Sequence, residues 1–207
     1  MPRTESRRGL TTMAGMEKFP AIELETERFR LVPIRPLSLV LPTLHWTDDG
    51  DAFVDLGWRP SGWTARRWWR HLRHLSRGSR ICHGIWPKSG SDCIGLHLVN
   101  ASALSRTATI GVLIAEKDWW GKGVVVEIRE AILEDCFERL KLERVWAQAN
   151  MRNLASVYNH RKLGFVHEGT LRSAVIAKDG ARVDMLVFGM LRAEWSARRQ
   201  GVTGHDG

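Results

Sequence analysis

At 207 residues, with 43% hydrophobic and 26% charged residues, the chain has the size and composition of one soluble globular domain. No run approaches the roughly 18 apolar residues that a membrane span requires, and no apolar signal-peptide core opens the sequence, so a membrane role is not expected and cytoplasm is the default location. The formal net charge of +8 admits nucleic acid as a partner. The excess is divided between a mixed N-terminal stretch and the segment 64–80, however, so nucleic acid ranks behind phosphate-bearing small ligands and acidic partner proteins.

Cys82, Cys93 and Cys136 form neither a C-x-x-C pair nor an even disulfide framework and read as small apolar core residues; no metal site is legible. Residues 1–20 mix Arg, Ser, Thr and Gly with little apolar periodicity, which predicts a disordered tail; Met13 and Met16 are alternative starts. Phe29 to Arg35 reads as a first strand, with Pro33 marking an edge position. Leu37 to Trp46 is a short helix candidate, followed by turn chemistry at Thr47-Asp-Asp-Gly-Asp51.

Between 47 and 63, Asp48, Asp49, Asp51 and Asp55 interleave with Phe53, Trp58 and Trp63. Acidic groups beside flat aromatic ones suit an amine through charge and cation–π contact, and equally make a solvated loop plugged onto a core. Thr64 or Gly62 caps a helix running to about Arg77, whose buried stripe is Trp68, Trp69, Leu72 and Leu75. The helix-like stretch 64–80 carries Arg66, Arg67, Arg70, Arg73, Arg77 and Arg80 with no acid. Ile81–Trp86, Cys93–Val99 and Thr107–Ala115 are spaced as an antiparallel meander, and Gly95 marks a bulge or close backbone contact. His83 and His97 lie on these strands as structural residues or, if one faces a cleft, as a base.

After Thr109–Ile114 comes Trp119-Trp-Gly-Lys-Gly-Val-Val-Val-Glu127, then apolar residues at helical spacing from Val125 to Leu140. Two glycines around a lysine, between strand end and helix start, put free N–H groups at the positive end of a helix dipole. Such a turn either binds an anion, above all a phosphate, or uses glycine only for geometry. Arg144–Ala149 then reads as a strand parallel to its predecessor. Asn153 caps a helix over 154–163 that stops at Gly164. Strands at 165–177 and 182–191 flank the Asp179-Gly180 turn, and Arg192–Arg199 forms a terminal helix. One domain over 21–199 is expected, with a flexible tail at 200–207.

Two motifs in this order resemble those of the GNAT N-acetyltransferase superfamily, in its RimJ/RimL-like branch of ribosomal-protein N-acetyltransferases. Trp120-Gly-Lys-Gly-Val-Val-Val-Glu127 is similar to W-G-K-G-[YL]-[AG]-[TS]-E. Asn153-Leu-Ala-Ser-Val-Tyr-Asn-His-Arg-Lys-Leu-Gly-Phe165 is similar to N-x-A-S-x-x-x-x-x-K-x-G-F and is followed by His167-Glu-Gly-Thr-Leu-Arg172, which looks like E-G-x-x-R. The resemblance implies an α/β (α+β) single domain. Its sheet is mixed and mostly antiparallel, with six to seven strands, about four flanking helices and a splayed central strand pair. It also implies acetyl-CoA, or another acyl-CoA, as donor. Pantetheine would bond along Val112, Leu113 and Ile114, and pyrophosphate would lie near Trp120 and on Gly121, Lys122, Gly123, Val124, Val125 and Val126. Asn153 would bond the pantetheine arm, and Ser156 would stabilise the leaving thiolate. His160 stands where many members have a proton-donating Tyr.

The sequence departs from the pattern at Val125 and Val126, where small residues are usual; β-branched side chains there are costly if the loop needs φ > 0. The strand 106–114 carries no carboxylate, which leaves Glu116, His97 or water as the base. The function implied is N-acyl transfer to a primary amine by direct attack in a ternary complex. The acceptor is a small-molecule amine or a protein N-terminal amine, with Asp49, Asp51, Trp58, Trp63 and His97 as acceptor-side candidates. A non-catalytic acyl-CoA-binding module and an RNA-associated basic module are the alternatives, and a homodimer is possible.

Overall fold

The computed structural model describes residues 19–48, 53, 56–58, 62–177 and 179–203. Short strands build the first half of the sheet as an antiparallel run, interrupted between β2 and β3 by a helical segment. β1 (Leu24–Glu25), β2 (Phe29–Pro33), β3 (Arg80–Pro87), β4 (Gly95–Ser102) and β5 (Thr107–Ile114) each pair with the preceding strand. β6 (Arg144–Asn150) joins parallel to β5, and β8 (Arg182–Leu191) lies between β6 and β7 (Val166–Ile176). Among the described residues the sheet therefore has eight strands, in the order β1-β2-β3-β4-β5-β6-β8-β7. The expectation of six to seven missed β1, which at two residues is too short to carry any periodicity.

Among the described residues there are five α-helices: α1 (Pro36–Thr43), α2 (Ala65–Leu75), α3 (Val124–Glu134), α4 (Leu154–Lys162) and α5 (Arg192–Thr203). Thr64 caps α2 by accepting from the Arg67 N–H at 3.3 Å. The helix ends two residues short of the expected Arg77. α3 widens at its end into a π turn, Asp135–Arg139. α5 runs on to Thr203, so the boundary expected at 199 falls inside a helix.

Strand alternation sorts the core onto two faces. Ile128 and Ile132 of α3, Leu163 and Phe165 after α4, and Trp195 of α5 cover Ile81, Val99, Ala108, Ile110, Val145 and Ala147. Trp68 and Leu72 of α2, with Leu39 of α1 and Trp46, cover Cys82, Leu96 and Leu113 on the opposite face. Gly95 is required by close approach, since a Cβ there would collide with the Leu113 carbonyl of β5.

The feature that positions the site is the parallel seam. β5 and β6 pair only through Thr107–Arg144, Ala108–Val145 and Thr109–Trp146. Beyond these, residues 110–114 stay paired with β4 and 147–150 with β8, so the two strands part. The gap opens one sheet edge in the middle of the fold and connects its two faces.

Candidate active site

Gly121 and Gly123 adopt left-handed backbone at φ 71° and 73°, and Gly123 is the N-cap of α3. An L side chain at either position would carry the strain of that conformation. Val125 and Val126 belong to the first turn of α3 and are not among the residues with positive φ. The steric cost anticipated for them is absent, because the two glycines absorb the whole reversal. The N–H groups of 121–126 make no backbone hydrogen bond among the described residues, as the opening of a helix leaves them.

Several side chains hold this turn. The Trp120 indole donates to the Ile114 carbonyl at 2.9 Å, tying the turn to the open end of β5. Arg28 Nη2 donates to the Lys122 carbonyl at 3.0 Å, and Arg28 Nε to Glu127 Oε2 at 2.6 Å. Glu127 Oε1 also accepts from the Thr26 hydroxyl at 2.6 Å and the Arg28 N–H at 2.8 Å. Desolvation works to raise the Glu127 pKa, but these donors outweigh it and keep the carboxylate ionised. The Lys122 ammonium lies 5.6 Å from the centre of the Trp119 ring. Cationic groups and unpaired N–H donors at a helix N-terminus, beside an exposed strand edge, fit a diphosphate with an amide-bearing arm.

α4 supplies the second element. Asn153 Oδ1 accepts from the Ser156 N–H at 3.0 Å, so the side chain caps the helix. The Ser156 hydroxyl has no hydrogen-bond partner among the described residues. His160 is fully buried, stacked on Phe188 at 4.8 Å. Its Nδ1 lies 2.7 Å from the Ser156 carbonyl, and its Nε2 lies 3.0 Å from Arg129 Nη1. The first contact requires Nδ1–H and the second a bare Nε2, which fixes the neutral tautomer. Burial first, and the Arg129 charge second, lower its pKa to about 3. A histidine with both nitrogens engaged and no tendency to ionise is a poor proton donor, so His160 does not match the role implied by the missing Tyr. Arg129, itself fully buried and pushed down to about 10 by desolvation, is a residue the sequence reading missed. Its signal was an arginine beside Ile128, where the helix turns toward the sheet.

The opposite face carries a cleft of about 380 Å³ lined by Thr109 and Gly111 of β5, Trp146 and Gln148 of β6, Asn100 of β4, and Leu56 to Trp58. Thr109 and Trp146, the last pair of the seam, belong to its wall, so it adjoins the gap. Trp58 also stands in the cleft wall. Trp58 and Trp63 both pack into the ring cluster of Phe53, Trp68 and His71, but Trp63 does not line the cleft. His97 is also elsewhere: the alternation that turns Leu98 and Asn100 to the cleft turns His97 toward α3. There it is fully buried, with both ring nitrogens unpartnered among the described residues and its pKa driven well down, by desolvation and then by Arg129 and His83. Asp49 and Asp51 lie outside the described residues. Glu116 accepts from the Trp46 indole at 2.7 Å and sits 2.9 Å from His45 Nε2. Against the upward pull of desolvation these contacts hold its pKa below the usual carboxylate range, which weakens it as a base. Trp146, Gln148, Asn100 and Thr109 were missed because only pairing across the seam brings them together.

Among the described residues no helix is long and apolar enough to cross a membrane, and no cluster of His, Cys, Asp or Glu could hold a metal. The acetyltransferase (GNAT) domain family matches residues 28–166. "Putative ribosomal N-acetyltransferase YdaF" of Bacillus subtilis (strain 168) is 31% identical over 110 residues, 53% of this chain and 59% of that protein. The chain thus spans a little over half the length of such curated relatives. RimL, the ribosomal L7/L12 alpha-N-protein acetyltransferase solved with coenzyme A, superposes with a TM-score of 0.73 at 17% identity, over 82% of this chain and 98% of that one. The spermidine N-acetyltransferase of Vibrio cholerae, solved with CoA and spermine, gives 0.72 at 16% identity over 81% and 98%. These two likenesses concern the fold. With the family match covering 28–166, over both the glycine turn and the capped α4, the chain belongs to the GNAT acetyltransferase family.

Proposed function

We propose that this chain is an acyl-CoA-dependent N-acyltransferase that uses acetyl-CoA and a primary amine. The observation that carries the reading is the pair of left-handed glycines opening α3 directly beside the gap between β5 and β6. Residues 121–126 hold the pyrophosphate, and the edge at Val112, Leu113 and Ile114 bonds the pantetheine arm. The bound thioester supplies an activated acyl group at the gap. The amine enters from the cleft beside Trp58, Trp146 and Gln148. Its nitrogen forms the new N–C bond as the C–S bond breaks, and the proton the nitrogen sheds neutralises the sulfur.

Within this reading Ser156 offers its hydroxyl to the departing sulfur. Asn153 bonds the pantetheine arm and also holds Ser156, whereas His160 acts on Ser156 rather than on the donor. Asn153 accepts from the Ser156 N–H and His160 donates to its carbonyl, so both ends of that peptide turn are fixed. His160 is thus a positioning residue. The lack of a carboxylate on β5 implies an acceptor that reacts as the neutral amine, which needs no dedicated base.

The same missing carboxylate is what remains in favour of a non-catalytic acyl-CoA-binding module; the valines that also motivated it are accommodated in α3. One experiment separates the two. Acetyl-CoA is titrated calorimetrically, and thiol release is then followed with an amine panel. Cys82, Cys93 and Cys136 are buried, so a thiol reagent reports CoA with little background. Binding with sustained release supports catalysis. Binding without release supports the module, and no binding at millimolar ligand removes both.

A further inference from the structure

The solvent face of α2 is organised in a way that helix stability does not explain. Arg66, Arg70 and Arg73 are exposed and spaced four and three apart, so they form one stripe, opposite the buried Trp68, Leu72 and Leu75. Arg66 and Arg67 stand in the first turn, which holds no acid and where the helix dipole disfavours positive charge. Like charges at these spacings also repel. None of Arg66, Arg70, Arg73, Arg77 and Arg80 makes an ion pair among the described residues, although many other arginines of the chain do. Arg73 lies 5.3 Å from the Trp69 ring centre, and the neighbouring Arg67 lies 4.8 Å from that of Trp63, so both are stiffened on aromatic rings.

This costly stripe leads to the cleft. Leu75, the last residue of α2, and Arg80, the first of β3, both line it, and its described lining contains no carboxylate. A chain leaving the cleft along α2 would meet Arg80, then Arg77, Arg73, Arg70 and Arg66. Helical rise makes the 11 residues of α2 roughly 16 Å long, the span of about five extended residues.

We propose that this surface binds an acidic polypeptide whose N-terminal amine occupies the cleft, with acidic side chains at about its third to seventh positions. This rests on the acyltransfer reading and selects the protein N-terminal amine among its acceptors. A folded or single-stranded RNA is the other polyanion to weigh. The tryptophans of α2 pack inward or lie beneath arginines, which removes the base-stacking platforms that single strands use.

The test uses ten-residue peptides with free N-termini and Asp/Glu, Asn/Gln or Lys at positions three to seven, each assayed for acetyl-CoA-dependent thiol release and for binding by fluorescence anisotropy. The acidic peptide is expected to exceed the neutral one at least about tenfold in kcat/KM, with an advantage that shrinks as salt rises. Arg70→Glu/Arg73→Glu should abolish that advantage through KM while leaving kcat and small-amine turnover unchanged; Arg70→Lys/Arg73→Lys should keep most of it. Equal rates for acidic and neutral peptides, or an unaffected Glu variant, would overturn the proposal. So would tighter binding of an RNA oligonucleotide than of the acidic peptide. If no amine is acetylated at all, the acyltransfer reading falls. The anisotropy arm then judges the surface alone, since charge-dependent peptide binding lost in the Glu variant would still support it.

Discussion

The two faces of the sheet meet at one gap but are built from different materials. On the α3 side the site is mostly backbone: N–H groups of 121–126 released by two left-handed glycines, a strand edge left open by a short seam, and a capped helix turn at Asn153–Ser156. On the α2 side it is side chains drawn from separate strands and a loop: Trp58, Asn100, Thr109, Trp146 and Gln148. A site of backbone groups is the same for any sequence that can fold into it, whereas a site of side chains changes with every substitution. Under the proposed acyl transfer, the first would carry the chemistry common to a family, and the second the choice of acceptor.

The largest expected effect tests how the two helices of the backbone-built side are pinned. His160→Leu leaves the buried Arg129 guanidinium without its hydrogen-bond acceptor and should cost about 3 kcal/mol in chemical denaturation. Arg129→Leu/His160→Leu should restore most of it, and additive losses would show that the pair is not a unit. The pH dependence follows from the same contact. The folded pKa of His160, about 3, lies below the usual 6.5, so below pH 6.5 the unfolded chain takes up a proton that the folded one refuses. Stability should fall as pH drops toward 3, by about 1.4 kcal/mol per pH unit from this residue, with His97 and His83 acting in the same direction. The double variant should show a shallower slope.

Next in size, Gly123→Val places a β-branched side chain at φ 73°. It should weaken acetyl-CoA binding about 10- to 30-fold by calorimetry, and an unchanged affinity would break the cradle assignment. Ser156→Ala should lower kcat about tenfold with donor affinity retained. Trp58→Ala, on the other side, should raise the acceptor KM about three- to tenfold and leave donor binding alone. A change in donor affinity instead would mean that the two faces are not separate sites.

The sequence was a good guide wherever a local rule decides the outcome. Thr64, Asn153, Gly123 and Gly164 mark helix ends through capping and handedness, and these ends fall where the residues place them. Strand alternation also fixed which residues face the core. It did not say which of two cores, because that depends on how helices distribute over the sheet. His97 shows the difference: its strand was legible, and its direction toward α3 was not. Val125 and Val126 looked costly only while the backbone reversal had no definite position. Arg129 and His160 are intelligible only as a pair, 31 residues apart in sequence and joined by the packing of α3 on α4.

The short seam between β5 and β6 has a consequence for how the molecule exchanges protons with water. A strand in the middle of an eight-stranded sheet is ordinarily among the best protected parts of a fold. Here the amides of residues 110–114 that point into the gap face no neighbouring strand. In the unliganded protein they should exchange with deuterium on the timescale of a surface loop, while their counterparts facing β4 exchange as core. Filling the gap with an amide-bearing arm would slow that one alternate set, leaving a period-two protection footprint along a single strand.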